Sequence, residues 1–167
     1  MIDPAQARSF LRAGRIAVIG ASDDEGNFGR VVCRALREHD REVVAVHPTA
    51  AGSAGAPGYP SLDAVPGPVD TAIVMVAADR AAAVVTECVA LGVGRIWLFK
   101  GVGKGAVSQE ALRTARDAGC EVVAGACPLM FLEPVRGVHR FHRGIRRMRR
   151  AVKADVDSAD APAGPRS

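Results

Sequence analysis

The strongest chemical signal in the chain is a set of three glycines. They lie in AVIGASDDEGNFGR, residues 17–30, as Gly20, Gly26 and Gly29. An apolar strand ending in Gly, a turn of small residues and a Gly at the start of a helix make a cradle for an anion. Helix-start amides attract phosphate, and Gly lets a ligand come close to the backbone. Ala21 and Ser22 follow the first glycine, with Ser22 offering a hydroxyl. Asn27 and Phe28 stand at the helix entry, and Arg30 falls in its first turn. The spacing, Gly-x5-Gly-x2-Gly, is longer than GxGxxG, and a tight strand-to-helix turn with no ligand would use the same glycines. Asp23, Asp24 and Glu25 occupy the extra length. Carboxylates packed on a phosphate would repel it, so a bulge is expected to carry all three into solvent.

Other strand ends supply further candidates. His47, Pro48 and Thr49 follow an apolar run. A dinucleotide site for NAD usually has Asp or Glu there for the ribose hydroxyls. Its absence argues against NAD and leaves room for a nucleotide with a differently phosphorylated ribose. His47 alone also reads as a histidine hydrogen-bonded at a strand end. Val76, Ala77, Ala78 and Asp79 form a third stretch. Lys100 and Lys104, among Gly101, Gly103 and Gly105, suit a second phosphate contact or an ordinary solvated loop. Cys127, in GACP, is the thiol to watch for reactivity. No GxxxxGK[ST] occurs, so a P-loop is excluded. No Ser/His/Asp order, carboxylate pair placed for acid/base catalysis or HExxH is read in the sequence. HRFH (139–142) has too few ligands for a metal site.

These residues need elements to hold them. Asp3-Pro4 predicts a helix start running to about residue 12. Short apolar runs predict strands at 15–20, 42–48, 71–76, 95–99 and 120–125. Helical spacing predicts helices over 28–40, 80–91 with Asp79 as cap, and 109–118 with Ser108 as cap. The Pro/Gly-rich 49–70 segment reads as a loop with one short helix near 61–65. Strand–helix alternation implies an α/β Rossmann-like three-layer sandwich: a five-stranded, mainly parallel sheet of order 3-2-1-4-5 with helices on both faces.

Composition sets bounds. The 167 residues are 49% apolar and only 4% aromatic, which suits one α/β domain packed with Ala, Val, Leu and Ile. No run approaches a membrane span of about 18 apolar residues, and no secretory signal stands at the N-terminus, so a cytoplasmic protein with free thiols is expected. Residues 1–134 carry 13 Lys/Arg against 15 Asp/Glu, a balance of −2, and residues 135–167 carry 9 against 3, a balance of +6. Within that basic part, Val138, Phe141, Ile145, Met148 and Val152 are spaced as an amphipathic helix. The expected organisation is a nucleotide-binding domain at 1–134, a basic helix at 135–153 and a disordered tail at 154–167. The helix is read foremost as docking on the body, on a second copy or on a partner protein, with membrane-surface and nucleic-acid attachment as rival readings.

Taken jointly, GAS…GxxG, VHP after the second strand and WLFKG after the fourth resemble the small CoA-binding proteins. That domain also forms the N-terminal part of the succinyl-CoA synthetase α subunit. The resemblance covers roughly residues 5–130. It implies that Gly20, Ala21, Ser22, Phe28 and Gly29 match the pyrophosphate loop and that His47, Pro48 and Thr49 fall near the ribose phosphate. It implies further that Val76, Ala77 and Ala78 flank the adenine, with Lys100 and Gly101 at the next loop. His47 replaces the family's usual Asn, and the segment after the fifth strand is more apolar than usual. Coenzyme A or an acyl-CoA is the implied cofactor. A phosphohistidine domain, which synthetases need, does not follow, so the resemblance implies a binding module without its own catalysis. An NAD(P)-dependent oxidoreductase, or an interaction protein acting through the basic helix, stays open.

Overall fold

A computed structural model describes residues 2–101 and 105–132. Lys104, Gly103, the basic segment 135–153 and the tail 154–167 lie outside them, so the readings placed on those residues are not addressed by it.

The elements follow the sequence closely. Helix α1 (Pro4–Arg12) starts on Asp3, whose carboxylate accepts the Ala5 amide at 2.9 Å, with Pro4 where no amide is needed. Strand β1 (Arg15–Ile19) leads to α2 (Phe28–Glu38), then β2 (Glu42–Val46). After a loop come the two-residue β3 (Gly58–Tyr59), β4 (Thr71–Val74), α3 (Ala78–Ala90), β5 (Arg95–Phe99), α4 (Gln109–Asp117) and β6 (Glu121–Ala126). Ser108 caps α4 by accepting the Ala111 amide at 3.1 Å, as expected. Asp79 does not cap α3: the cap position is Ala77, without a side-chain bond, and Asp79 lies in the first turn. Residues 61–65 form turns rather than a helix.

All six strands are parallel, in the order β3-β2-β1-β4-β5-β6. This is the Rossmann-like α/β fold. The order 3-2-1-4-5 appears in it, but place three belongs to Gly58–Tyr59, which the sequence reading left in a loop. Thr71–Val74 therefore lies beside β1, not beyond β2. A two-residue edge strand shows no alternation, which is why sequence pattern cannot reveal it.

Alternation explains the two cores. Ala17 and Ile19, Val44 and Val46, Ala72 and Val74, and Ile96 and Leu98 face one way, under α3 and α4. Ile16 and Val18, Val43 and Ala45, Ile73 and Trp97 face the other, under α1 and α2. Both faces are buried, so the strands read as continuous apolar runs. Trp97 lies edge-on to Phe10 and Phe131, with centroids 6.2 and 5.7 Å away. Its indole N–H donates to the Ala126 carbonyl at 3.0 Å, which satisfies its one polar atom in the core. Among the described residues no helix is long and apolar enough to cross a membrane.

Candidate functional site

The chain leaves β1 through α2 toward β2, and leaves β4 through α3 toward β5. Strand order reverses between β1 and β4, and an open α/β sheet forms its ligand crevice at such a point. The starts of α2 and α3 flank it. Neither helix has a side-chain cap, whereas α1 and α4 do. Asn27 holds the cap position of α2, yet its side-chain amide turns back to donate to the Gly20 carbonyl at 3.0 Å. Its Oδ1 is left buried with no hydrogen-bond partner.

The three glycines differ in their surroundings. Gly20 has φ +98°, and a Cβ there would meet the Met75 carbonyl oxygen at 2.6 Å. The neighbouring strand end, not a ligand, is what excludes a side chain. A Cβ on Gly29 would lie 2.7 Å from both Cα and Cβ of Ala21, so Gly29 lets α2 start tight against the strand end. Around Gly26 there is open space to 4 Å. Nothing around it in the fold excludes a side chain there.

The three acids are exposed, as expected, but two of them do more than reach solvent. Ser22, buried, donates its hydroxyl to Asp24 at 2.7 Å. Asp23 accepts the Ala54 amide at 2.9 Å and pairs with Arg30, Nε to Oδ1, at 3.1 Å. That Nε is buried and makes no aligned hydrogen bond, so the pair is close in charge but poor in geometry. Asp23 thus joins the loop after β1 to the loop after β2. Ser53, also buried, adds a bond to the Ser22 carbonyl at 2.9 Å, and Arg37 holds the Ala54 carbonyl at 2.7 Å. Ala54 sits at φ +49°, a left-handed conformation that costs an alanine about 1 kcal/mol. These bonds on both sides of Ala54 keep it there. Sequence reasoning missed Asp23, Ser53 and Ala54 as a clasp. Only the Asn/Asp/Ser richness of such turns hinted at them.

At the end of β2 the Thr49 amide donates to His47 Nδ1 at 3.3 Å, and the Thr49 hydroxyl lies 2.9 Å from the same nitrogen. With Nδ1 accepting the Thr49 amide, Nε2 is the ring nitrogen left to donate outward. Pro48 and Thr49 are exposed. This group meets the first loop through the Gly20 amide, which donates to the Val46 carbonyl at 2.8 Å. Val76 closes on Gly20, its Cγ1 3.4 Å from where a Cβ would be. Ala77 and Ala78 open α3. Lys100 and Gly101 leave β5 exposed to solvent. Phe28 stacks on Phe99 with centroids 5.4 Å apart, so α2's first residue reaches across the end of β4 to β5. Phe99 was not foreseen.

Cys127 follows β6. Burial pushes its thiol pKa up, opposed by the backbone of Leu129 and Met130. A protonated thiol is a poor nucleophile, so the structure lowers the expectation of reactivity there. Among the described residues no group of three His, Cys, Asp or Glu could hold a metal.

Residues 14–133 match the family described as the CoA binding domain. Over 73 residues, 44% of this chain, it is 41% identical to "Acetate--CoA ligase [ADP-forming] I" of Archaeoglobus fulgidus, but it spans only 11% of that ligase. A solved structure from Thermus thermophilus superposes with a TM-score of 0.68 and 28% identity, over 78% of this chain and 96% of that one. The dinucleotide-forming acetyl-coenzyme A synthetase 1 of Ca. Korarchaeum cryptofilum in its apo form gives 0.56 and 29%, over 66% of this chain and 25% of that one. The match runs from Gly14, before β1, through β6 and the turn that follows it, so it takes in every strand end described above: the chain belongs to the CoA binding domain family.

Proposed function

We propose that this chain binds coenzyme A or an acyl-CoA across the carboxyl edge of its sheet and acts as a binding module without catalysis of its own. The observation that carries the reading is the uncapped start of α2, with Gly26 in open space before it and Asn27 bonded away from the helix amides. These groups fit a pyrophosphate. It would be held by Gly20, Ala21, Ser22, Asn27, Phe28, Gly29 and Arg30. His47, Pro48 and Thr49 would meet the ribose phosphate, with Nε2–H of His47 as a donor. Val76, Ala77 and Ala78 would flank the base, and Lys100 and Gly101 would border the far end. The ligase likeness supports the binding step. It covers too little of that enzyme to bring its reaction along.

Calorimetric titration with CoA, dephospho-CoA, NAD and NADP tests this. The expected result is binding of CoA, weakened when the 3′-phosphate is missing. Binding of NADP with none of CoA overturns it and favours the oxidoreductase reading.

A further inference from the structure

We infer that Asp23 and Asp24 are resident competitors for the anion site of the first loop: each carboxylate engages a group that a bound phosphate would need, and removing the charge of Asp23 or the acceptor of Asp24 tightens binding. This rests on the CoA reading above.

The two contacts lie on opposite sides of the loop. A hydroxyl has one proton to give, and Ser22 gives its proton to Asp24 at 2.7 Å. Arg30, in the first turn of α2, has its Nε 3.1 Å from Asp23. That Nε is buried yet forms no aligned hydrogen bond, so Asp23 neutralises the guanidinium without satisfying it. An anion placed squarely on the fork would do both. Both carboxylates are exposed, and water can take over their solvation once they let go. Ser22 is 3% exposed and has no such alternative.

Asp23 also has a structural duty, since it accepts the Ala54 amide. That bond needs an oxygen but not a charge. Asp23→Asn supplies the oxygen and removes the charge, which separates the clasp from the competition.

The size of the effect is modest because the pair is half in solvent, with side chains 53% and 29% exposed for Asp23 and Arg30. An exposed ion pair of this kind corresponds to about a two- to fivefold change in affinity. The experiment is calorimetry with CoA on the full chain, comparing wild type, Asp23→Asn, Asp24→Ala, Arg30→Gln and the double variant Asp23→Asn with Arg30→Gln. Asp23→Asn is expected to bind about two- to fivefold tighter, Asp24→Ala to bind tighter than wild type, and the double variant to show no gain over Arg30→Gln alone. Should Asp23→Asn fold poorly, Asp24→Ala carries the test, because the Asp24 side chain bonds to Ser22 and takes no part in the clasp. Unchanged or weaker binding by the Asp variants, while wild type binds CoA, overturns the inference and leaves the CoA reading standing. A gain that persists undiminished with Arg30→Gln overturns the competition for Arg30. Wild type and variants all failing to bind CoA overturns the CoA reading, and this inference with it.

Discussion

Gly29→Ala is the most discriminating single change. The new Cβ would sit 2.7 Å from Cα and Cβ of Ala21 and 2.7 Å from Asn27 Oδ1, where ordinary contact begins at 3.4 Å. Relief requires about 0.7 Å of movement between α2 and the end of β1. Ala21 is fully buried and cannot step aside. Overpacking of this kind costs about 1–3 kcal/mol, and the better helix propensity of Ala returns less than about 1 kcal/mol in a first turn. A net loss of about 1–2 kcal/mol should appear as a lower urea midpoint at unchanged slope. The same movement misaligns the α2 amides. Spoiling one hydrogen bond to a charged group corresponds to about 1.5–3 kcal/mol, or roughly ten- to hundredfold weaker CoA binding by calorimetry. Gly26→Ala is the control. With open space to 4 Å its stability should stay within about 0.5 kcal/mol of wild type while CoA affinity falls. A Gly29→Ala protein that melts with wild type would refute the packing argument. Gly26→Ala with full affinity would remove Gly26 from the contact surface.

Trp97→Phe removes the indole donor to Ala126 and part of a ring that touches Phe10 and Phe131. It should lower stability by about 2–4 kcal/mol in urea unfolding, and a midpoint equal to wild type contradicts that account. Ser108→Ala removes the α4 cap and should cost about 1 kcal/mol with CoA affinity unchanged; an equal loss of affinity would tie α4 to the site. Burial raises the Cys33 and Cys88 thiols from 9.0 to about 12. The unfolded chain releases these protons near pH 9 and the folded chain keeps them, so stability is full below pH 9 and declines as pH rises toward 12. By pH 10 each thiol accounts for about 1.4 kcal/mol. A Cys33→Ala, Cys88→Ala double variant, compared at pH 8 and 10, should lose that part of the alkaline sensitivity, and an identical decline in both proteins rules it out.

How much of this was legible in the sequence differs by element. β-Branched runs such as RIAVI and EVVAV gave their strands because both sheet faces are buried and each position prefers an apolar residue. Asp3 and Ser108 marked their helices because capping is a local bond. Asp79 misled: it is a good cap type, but the chain enters α3 two residues earlier, at Ala77, where the end of β4 directs it. The strand ends could be named as candidate positions from sequence alone, since a parallel sheet brings them to one edge. The clasp could not. Asp23 to Ala54 spans 31 residues, and no pattern within the 49–70 loop says which carbonyl or amide will face the first turn. Phe99 escaped for a similar reason: its stacking on Phe28 depends on how far α2 leans across β4.

The distribution of helix caps links stability to function. A cap is worth about 1 kcal/mol, and α1 and α4 have theirs. α2 and α3 lack one. For α2 the lack is not a shortage of suitable residues. Asn27 is among the best capping types and stands at the cap position, yet its Nδ2 serves Gly20 and its Oδ1 is buried without a partner. An unsatisfied buried acceptor costs about 1–3 kcal/mol, so the arrangement is worse for the isolated fold than a simple cap would be. The two uncapped starts are those beside the β1/β4 switch. A cap oxygen there would occupy the amides that the proposed phosphate site uses. The fold therefore forgoes local stability at the two helix ends that border the crevice and keeps it at the two that do not. Asn27→Ser sharpens the point. A serine can cap α2 and cannot reach the Gly20 carbonyl in the same way, so it should match or exceed wild-type stability and bind CoA more weakly. Equal or tighter binding would mean the amides of α2 are not what the ligand uses.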